Sequence, residues 1–310
     1  MAAVRLELGN IHRRMPCPAL DAIASAATVL ELSIDNTNTA DIVAAKANLY
    51  PGQHLKGVSA VTKARLHQCY GVHRRMSKDE LWAAIASTID SMLNAATLAE
   101  WVVLNEIFAV ARWMARTMGG MRSLLIHSYS HAQAVAPNSR LALRDLFAAP
   151  WPEILAALAD PACKRVIQSV EVQVRCDLGW PPKLPVNTSQ ATARLGWHLK
   201  RSRFFRAMRV SQLRELVQAI QDLGYEAALT ECTAWVGPTP TPASYRAQGK
   251  LYGSWLNLAQ ETGCRISWWD WHDGMLRNPQ TRYEAPDFPG LWAADGVAKH
   301  PRTVSQWNLN

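Results

Sequence analysis

Short apolar runs that end in polar side chains recur along the chain. One run begins at Trp101 and ends in Asn105 and Glu106, and a second, from Tyr225, ends in Glu231. Buried strands of parallel α/β folds have this pattern, with an apolar strand whose carboxyl end carries the chemistry. The pattern predicts two strands that each present a glutamate at the same end of a sheet.

Helical patterns alternate with these runs. Ser77 and Glu80 have the spacing of a capping box, and apolar residues then recur at helical spacing up to Leu93. The range 211–223 has an amphipathic pattern that ends at Gly224, a helix-ending residue, immediately before the Glu231 run. Each predicted helix therefore leads directly into a predicted strand.

The same reading extends over the rest of the chain, with the first fifty residues least defined. Further strands are predicted at 28–34, 54–61, 140–143, 166–174 and 264–269, and further helices at 18–27, 41–49, 153–159, 245–262 and from residue 107 to a point between 128 and 136. Repeated β-then-α units predict an α/β fold, a (β/α)8 TIM barrel with shortened or irregular N-terminal units. No linker or internal repeat divides the chain, so we expect one domain over residues 1–310.

Composition limits the function classes. The chain of 310 residues has no apolar run of the ~18 residues that a membrane span needs, so we expect no membrane association. Its six cysteines form no C-x-x-C pair, which argues against a structural zinc module and favours reduced thiols. The first residues include Glu7 and do not resemble a signal peptide, so we expect a cytoplasmic protein, with secretion from a longer precursor as the alternative.

The net charge of +8 favours contact with polyanions, either nucleic acid or an acidic polysaccharide. Basic residues cluster in 200–209, but no nucleic-acid-binding module accompanies them, so we expect no nucleic-acid partner. The thirteen tryptophans include candidates for the flat apolar platforms that bind sugar rings.

Two histidines are the only candidates for a metal site. His127 and His131 are one helical turn apart, but the glutamate of H-E-x-x-H and a clear third ligand are missing. The sequence also has no glycine-rich phosphate loop and no G-x-S-x-G nucleophile elbow. We therefore expect neither a metal nor a cofactor.

The two strand-end glutamates suit glycoside hydrolysis, which needs two carboxyl groups beside the scissile bond. Glu106 and Glu231 are far apart in sequence, but the carboxyl ends of barrel strands share one face. Carboxyl groups about 5–5.5 Å apart indicate a retaining mechanism and about 6.5–9.5 Å an inverting one. We predict that the two side chains face each other across the top of the barrel.

From about Leu55 to Pro301 the sequence resembles the catalytic barrel of glycoside hydrolase family 10, the family of endo-β-1,4-xylanases. The resemblance rests on six segments in the family's order, which are Val102–Glu106, Ala136–Leu141 leading to Asp145, Val170–Gln173, Leu223–Glu231, Trp268–Asp273 and Leu291–Pro301.

The resemblance implies a retaining mechanism on a β-linked polysaccharide or oligosaccharide. In it Glu106 would be the acid/base and Glu231 the nucleophile, while Asn105 would bind the 2-hydroxyl of the sugar. The residues that it implies for substrate binding are Asn105, Asp145, Gln173, Arg175, Trp269 and Asp273.

Departures from the family pattern argue against xylan itself. Val58 and Thr62 stand where the family has His and Trp, Arg144 replaces an Asn, and Arg175 replaces a His. The second C-terminal tryptophan is also missing, and the N-terminal portion is short. A non-catalytic glycan-binding barrel that has kept the cleft is therefore the alternative function.

The two arginines carry a further hypothesis. Arg144 and Arg175 are permanent cations that bind carboxylates, which predicts an acidic or substituted glycan as substrate. Alternatively, these arginines pair with Glu171, Asp145 or the two candidate catalytic glutamates.

Overall fold

The structure is a computed structural model that describes residues 6–8, 29–34, 55–59, 76–110, 112–177, 210–235 and 241–268, the first three ranges by their backbone alone. These residues contain eight strands, which in chain order are β1 Leu6–Leu8, β2 Val29–Ile34, β3 Leu55–Ser59, β4 Glu100–Asn105, β5 Arg140–Leu146, β6 Ser169–Asp177, β7 Glu226–Trp235 and β8 Arg265–Trp268.

The strands form a closed barrel in which each strand is parallel to the next. β1 closes the ring by pairing with β8, with Leu6 opposite Ile266 and Leu8 opposite Trp268. The predicted TIM barrel is confirmed. β1 was not predicted, because three residues are too few to show an alternating pattern.

The described residues also contain eight helices, which follow β3 in the chain and pack on the outside of the sheet. They are α1 Lys78–Leu93, α2 Ile107–Val110, α3 Arg112–Thr117, α4 Met121–Val135, α5 Trp151–Leu158, α6 Pro161–Val166, α7 Val210–Asp222 and α8 Pro242–Thr262. Ser77 caps α1 in the predicted capping box with Glu80. None of the helices in this described part is long and apolar enough to cross a membrane.

Several predicted elements are wrong in their extent. β7 continues to Trp235, so Glu231 lies within this strand and not at its end. The single helix expected after residue 106 is three helices, and Gly119 and Gly120, both with positive φ, separate α3 from α4. The strand expected from Val166 begins at Ser169 instead, because Asp160 caps α6 through the amide of Ala162. The apolar residues near 166 belong to that helical turn.

The apolar core lies between the sheet and the helices. Its largest fully buried side chains include Trp101, Trp255 and Trp268. The ring of Tyr252 packs against Trp268 at a centroid distance of 4.7 Å, so α8 is attached to β8 by aromatic contacts.

Charged side chains of the described strands β4, β6 and β8 form ion pairs inside the barrel. Arg265 on β8 donates to both carboxylate oxygens of Glu100 on β4, at 2.9 and 2.8 Å, and to Glu171 on β6 at 3.3 Å. Val102 and Ala142 form a small apolar cluster separate from the main core. Barrels of this kind usually fill the lumen with branched aliphatic side chains. Here charged side chains run through the lumen towards the ends of β4 and β7.

Candidate active site

Glu106 and Glu231 have left-handed backbone conformations, with φ of 58° and 49°. In the described part of the chain they are the only non-glycine residues with positive φ. Such a conformation costs roughly 1–2 kcal/mol per residue, and strain of this kind concentrates at functional sites. A register shift accompanies each, between Val102 and Leu104 and between Leu229 and Cys232. The backbone is therefore distorted at both predicted catalytic positions.

Asp145 holds the turn that follows Glu106. Its carboxylate accepts hydrogen bonds from the backbone amides of Phe108, at 2.7 Å, and Ala109, at 3.2 Å. It also accepts one from Leu146 at 2.8 Å. The Glu106 amide donates to the carbonyl of Arg144 at 3.0 Å, which ties this turn to β5.

The pKa of the Asp145 carboxyl is raised from 3.8 to about 7, chiefly by burial and also by the negative charge of Glu106, although the three backbone amides oppose the shift. Asp145 is completely buried. This geometry does not support the predicted contact with substrate; it indicates that Asp145 positions the Glu106 segment.

Tyr129 on α4 supports the distorted part of β4. Its hydroxyl donates to the carbonyl of Ala142 at 2.7 Å and accepts from the amide of Leu104 at 3.4 Å. Sequence reasoning missed this residue, because nothing in an amphipathic helix marks the one tyrosine whose hydroxyl reaches the sheet.

Gln173 connects residues of three strands. Its amide nitrogen donates to Asn105 and to Oε1 of Glu231, both at 2.9 Å. Gln173 and Glu231 are almost fully buried, and Asn105 is only 6% exposed. The predicted sugar-binding amide and the predicted nucleophile are thus held by one side chain.

Arg175 contacts both candidate catalytic carboxylates. Its Nη2 lies 3.2 Å from Oε1 of Glu106 and forms a still shorter ion pair with Oε2 of Glu231. One nitrogen therefore contacts an oxygen of each carboxyl group, so the two predicted catalytic side chains meet at one place in the barrel.

Arg144 is completely buried beneath this site. Its Nε and Nη2 contact Glu171 at 2.7 Å, and its Nη1 contacts Oε1 of Glu231 at 3.4 Å. The alternative in which the two arginines pair with Glu171 and the candidate catalytic glutamates is therefore confirmed. Glu171, already named as a possible partner, is one of three alternate polar residues, with Ser169 and Gln173, in a strand otherwise rich in valine.

The structure brings together five of the predicted site residues. Asn105, Glu106, Gln173, Arg175 and Glu231 converge towards the carboxyl ends of β4, β6 and β7. Trp269 and Asp273 lie outside the described residues.

The two histidines considered for zinc have other partners. His131 contacts Asp90 at 2.7 Å, His127 contacts the carbonyl of Ser123 at 2.7 Å, and both rings pack edge-on against Trp82. Among the described residues no group of three potential ligands could hold a metal ion.

Comparisons with known proteins extend these observations. No protein-family model and no curated protein matches the sequence. Solved structures do match. Xylanase 10B from Thermotoga petrophila, in complex with xylobiose, has a TM-score of 0.69 at 10% identity over 99% of this chain and 95% of its own.

Two other structures are similar to the same degree. A glycoside hydrolase family 10 endoxylanase from a sugarcane soil metagenome has a TM-score of 0.69 at 13% identity, over 98% of this chain and 97% of its own. Xylanase 10B from Thermotoga maritima has a TM-score of 0.68 at 11% identity, over 98% and 95%. The chain therefore has the barrel fold of these xylanases, and the similarity covers 98–99% of its length.

Proposed function

We propose that the protein is a retaining glycoside hydrolase that cleaves β-linked polysaccharides or oligosaccharides. The observation that carries the proposal is the pair of buried glutamates, Glu106 and Glu231, joined by one arginine nitrogen near the carboxyl ends of β4 and β7. Two adjacent carboxyl groups on one face of a barrel are what this reaction requires. The fold of family 10 xylanases supports a carbohydrate substrate.

The surroundings of the two glutamates suit different roles. Glu231 accepts a hydrogen bond from Gln173 and contacts Arg144 and Arg175, all of which favour an ionised carboxylate and hence a nucleophile. Glu106 is only 6% exposed, and burial favours the protonated form that an acid needs, against the opposing charge of Arg175.

The reaction then follows two steps. Glu231 attacks the anomeric carbon while the proton of Glu106 passes to the glycosidic oxygen, so that the C–O bond breaks and the first product leaves. Glu106 next removes a proton from water, whose oxygen attacks the same carbon and displaces Glu231 as a free carboxylate. The sugar keeps its configuration, because the carbon is inverted twice.

Asn105 and Gln173 are proposed to bind the sugar at the cleaved bond. Gln173 donates to Asn105 and so fixes the orientation of that amide next to the acid. The substrate is proposed to differ from unsubstituted xylan, because Arg144 and Arg175 stand where xylanases of the resembled family have Asn and His.

A glycan-binding protein without turnover is the second candidate. Arg175 favours it, because a cation that contacts both glutamates favours the ionised form of each and so opposes the protonated acid. Such a protein would keep the sugar contacts of the site and lose the proton donor.

The test is product analysis on a panel of β-linked polysaccharides, with Glu106→Gln and Glu231→Gln beside the unaltered protein. A hydrolase releases reducing sugar and loses about 10²–10⁴-fold in rate when its acid is removed. Glu153→Gln, at an exposed position on helix α5, is the control and should keep full activity. Glycan binding without hydrolysis, unchanged in Glu231→Gln, would support the binding protein instead.

A further inference from the structure

Arg175 occupies the space that a substrate needs. Its Nη2 contacts Glu106 and Glu231 at the same time, and its side chain is 13% exposed. In a retaining enzyme the anomeric carbon and the glycosidic oxygen lie between those two carboxyl groups. A guanidinium nitrogen in contact with both leaves no room there for the reacting atoms.

Resting on the proposed function, we propose that Arg175 is a gating residue that holds the two glutamates in the free protein and must leave them before a sugar can enter. In the closed state the positive charge of Arg175 balances the negative charge of Glu106, which a proton on Glu106 would otherwise remove. In the open state Glu106 and Glu231 face each other as two neighbouring carboxyl groups, which cannot both stay ionised at low cost. One proton is then taken up, and Glu106, next to Asp145, is the group that receives it.

The charge balance argues against Arg175 as a receptor for an acidic substrate. Arg144 is already paired with Glu171 and Glu231, and Arg175 with Glu231 and Glu106. Within the described residues the site therefore has no surplus positive charge, and a substrate carboxylate would add a negative charge to it. Displacement of Arg175 by a neutral sugar, followed by proton uptake, keeps the total charge of the site balanced.

Removal of the Arg175 side chain should strengthen the binding of neutral sugars. Arg175→Gln takes away the cation, so no ion pair has to be broken for a sugar to enter. Neutral β-1,4-linked hexasaccharides of xylose or glucose should bind roughly tenfold more tightly to the variant, the effect of losing a partly buried ion pair. Arg175→Lys keeps the charge but has a single nitrogen and should give an intermediate affinity.

The second measurement needs no glycan. Carbon-13 NMR of proteins labelled at the glutamate carboxyl carbons reports which carboxyl groups take up protons. In the unaltered protein we expect the Glu106 and Glu231 resonances to stay at their ionised positions through neutral pH. In Arg175→Gln one of them should titrate at least one pH unit higher than any does in the unaltered protein, because the two carboxylates then share a proton.

Arg140→Gln is the matched control. Arg140 is also paired with a glutamate, Glu226. It is the first residue of β5, however, and so lies at the end of the barrel opposite the two site glutamates. Its removal should change neither the glycan affinity nor the titration of the two site carboxyl groups. Thermal unfolding of every variant shows whether it is folded.

The outcomes separate the gate from the proposed hydrolysis. Tighter binding and a raised titration in Arg175→Gln, without hydrolysis by any variant, would support the gate and refute the hydrolase. Hydrolysis with an unchanged affinity and titration would support the hydrolase and overturn the gate. The unaltered protein could instead bind a glucuronic-acid-branched xylo-oligosaccharide more tightly than the neutral one, with this preference lost in Arg175→Gln. Arg175 would then be an anion receptor, and the gate would be overturned. If no variant bound these oligosaccharides or any polysaccharide of the β-linked panel, both proposals would be refuted.

Discussion

Glu106, directly after β4, and Glu231, within β7, share a backbone conformation that strand residues normally avoid, with φ of 58° and 49°. The two positions are therefore related by geometry as well as by side-chain chemistry. The observation is independent of any resemblance to a family, and it leads to a test that involves stability alone.

Substitution of Glu231 by glycine or alanine tests the strained conformation. Alanine keeps the Cβ that makes positive φ unfavourable, while glycine has none. Glu231→Gly should therefore be more stable than Glu231→Ala by about 1 kcal/mol in urea unfolding. At the exposed helical position Glu215 the order should reverse, since alanine favours a helix by about 1 kcal/mol over glycine. The same order at both positions would contradict the strained geometry.

Substitution of Arg144 tests the ion pairs inside the barrel. It is fully buried against Glu171 and Glu231, so Arg144→Met leaves buried carboxylates without their cation and should cost about 3–5 kcal/mol in the free energy of unfolding. A second substitution, Glu171→Gln, should restore part of that loss. Arg112→Met breaks the exposed pair with Glu153 and should cost less than about 1 kcal/mol. Equal effects at the two arginines would show that Arg144 is not buried as described.

Asp145 gives the folded protein a specific pH dependence. Its pKa is about 7 in the folded state because of burial, against an ordinary value of 3.8. Between these values the folded state binds more protons than the unfolded state, so the contribution of Asp145 to the free energy of unfolding falls as the pH rises from about 4 to about 7. Asp145→Asn should lack this decrease. Urea unfolding of both proteins at pH 5 and pH 7.5 measures this decrease. An equal change in the free energy of unfolding for the two proteins would contradict the raised pKa of Asp145.

Asp145 and Glu106 also show what could and could not be predicted from the sequence. The apolar runs with polar ends predicted β4 and β7 and placed both glutamates at one face of the barrel, because strand direction and chain order determine that face. The role of Asp145 could not be predicted, because the backbone amides that it binds belong to a turn whose shape depends on Glu106.

The arginines illustrate the same limit. Their charge was visible in the sequence, but their partners depend on the barrel interior, where Glu171 lies next to Arg144. Composition alone could not decide between a substrate carboxylate and a protein carboxylate. The three-residue strand β1 was missed because its pairing with β8, rather than its own pattern, makes it a strand.

Tyr129→Phe tests the support of the β4 distortion. The change removes the hydroxyl that accepts from the amide of Leu104 and donates to the carbonyl of Ala142. A buried backbone group left without a partner costs about 1–3 kcal/mol of stability. We expect lower stability together with a lower rate of hydrolysis, since the irregular part of β4 directly precedes Asn105 and Glu106. Tyr225→Phe also removes a buried hydroxyl, which donates to Leu158 far from the site. It should lower stability and leave the rate unchanged, so equal rates in both variants would contradict the role of Tyr129.

The central claim is that Glu231 forms a covalent bond with the sugar. Fluorine at C2 of an activated β-glycoside slows both chemical steps, and a good leaving group restores the first, so a glycosyl-enzyme intermediate accumulates. After incubation with activated 2-fluoro xyloside and glucoside substrates, mass spectrometry of peptides should find one added sugar on the peptide that contains Glu231, and none in Glu231→Gln. Hydrolysis of glycans without any adduct, giving a product of inverted configuration, would contradict the account.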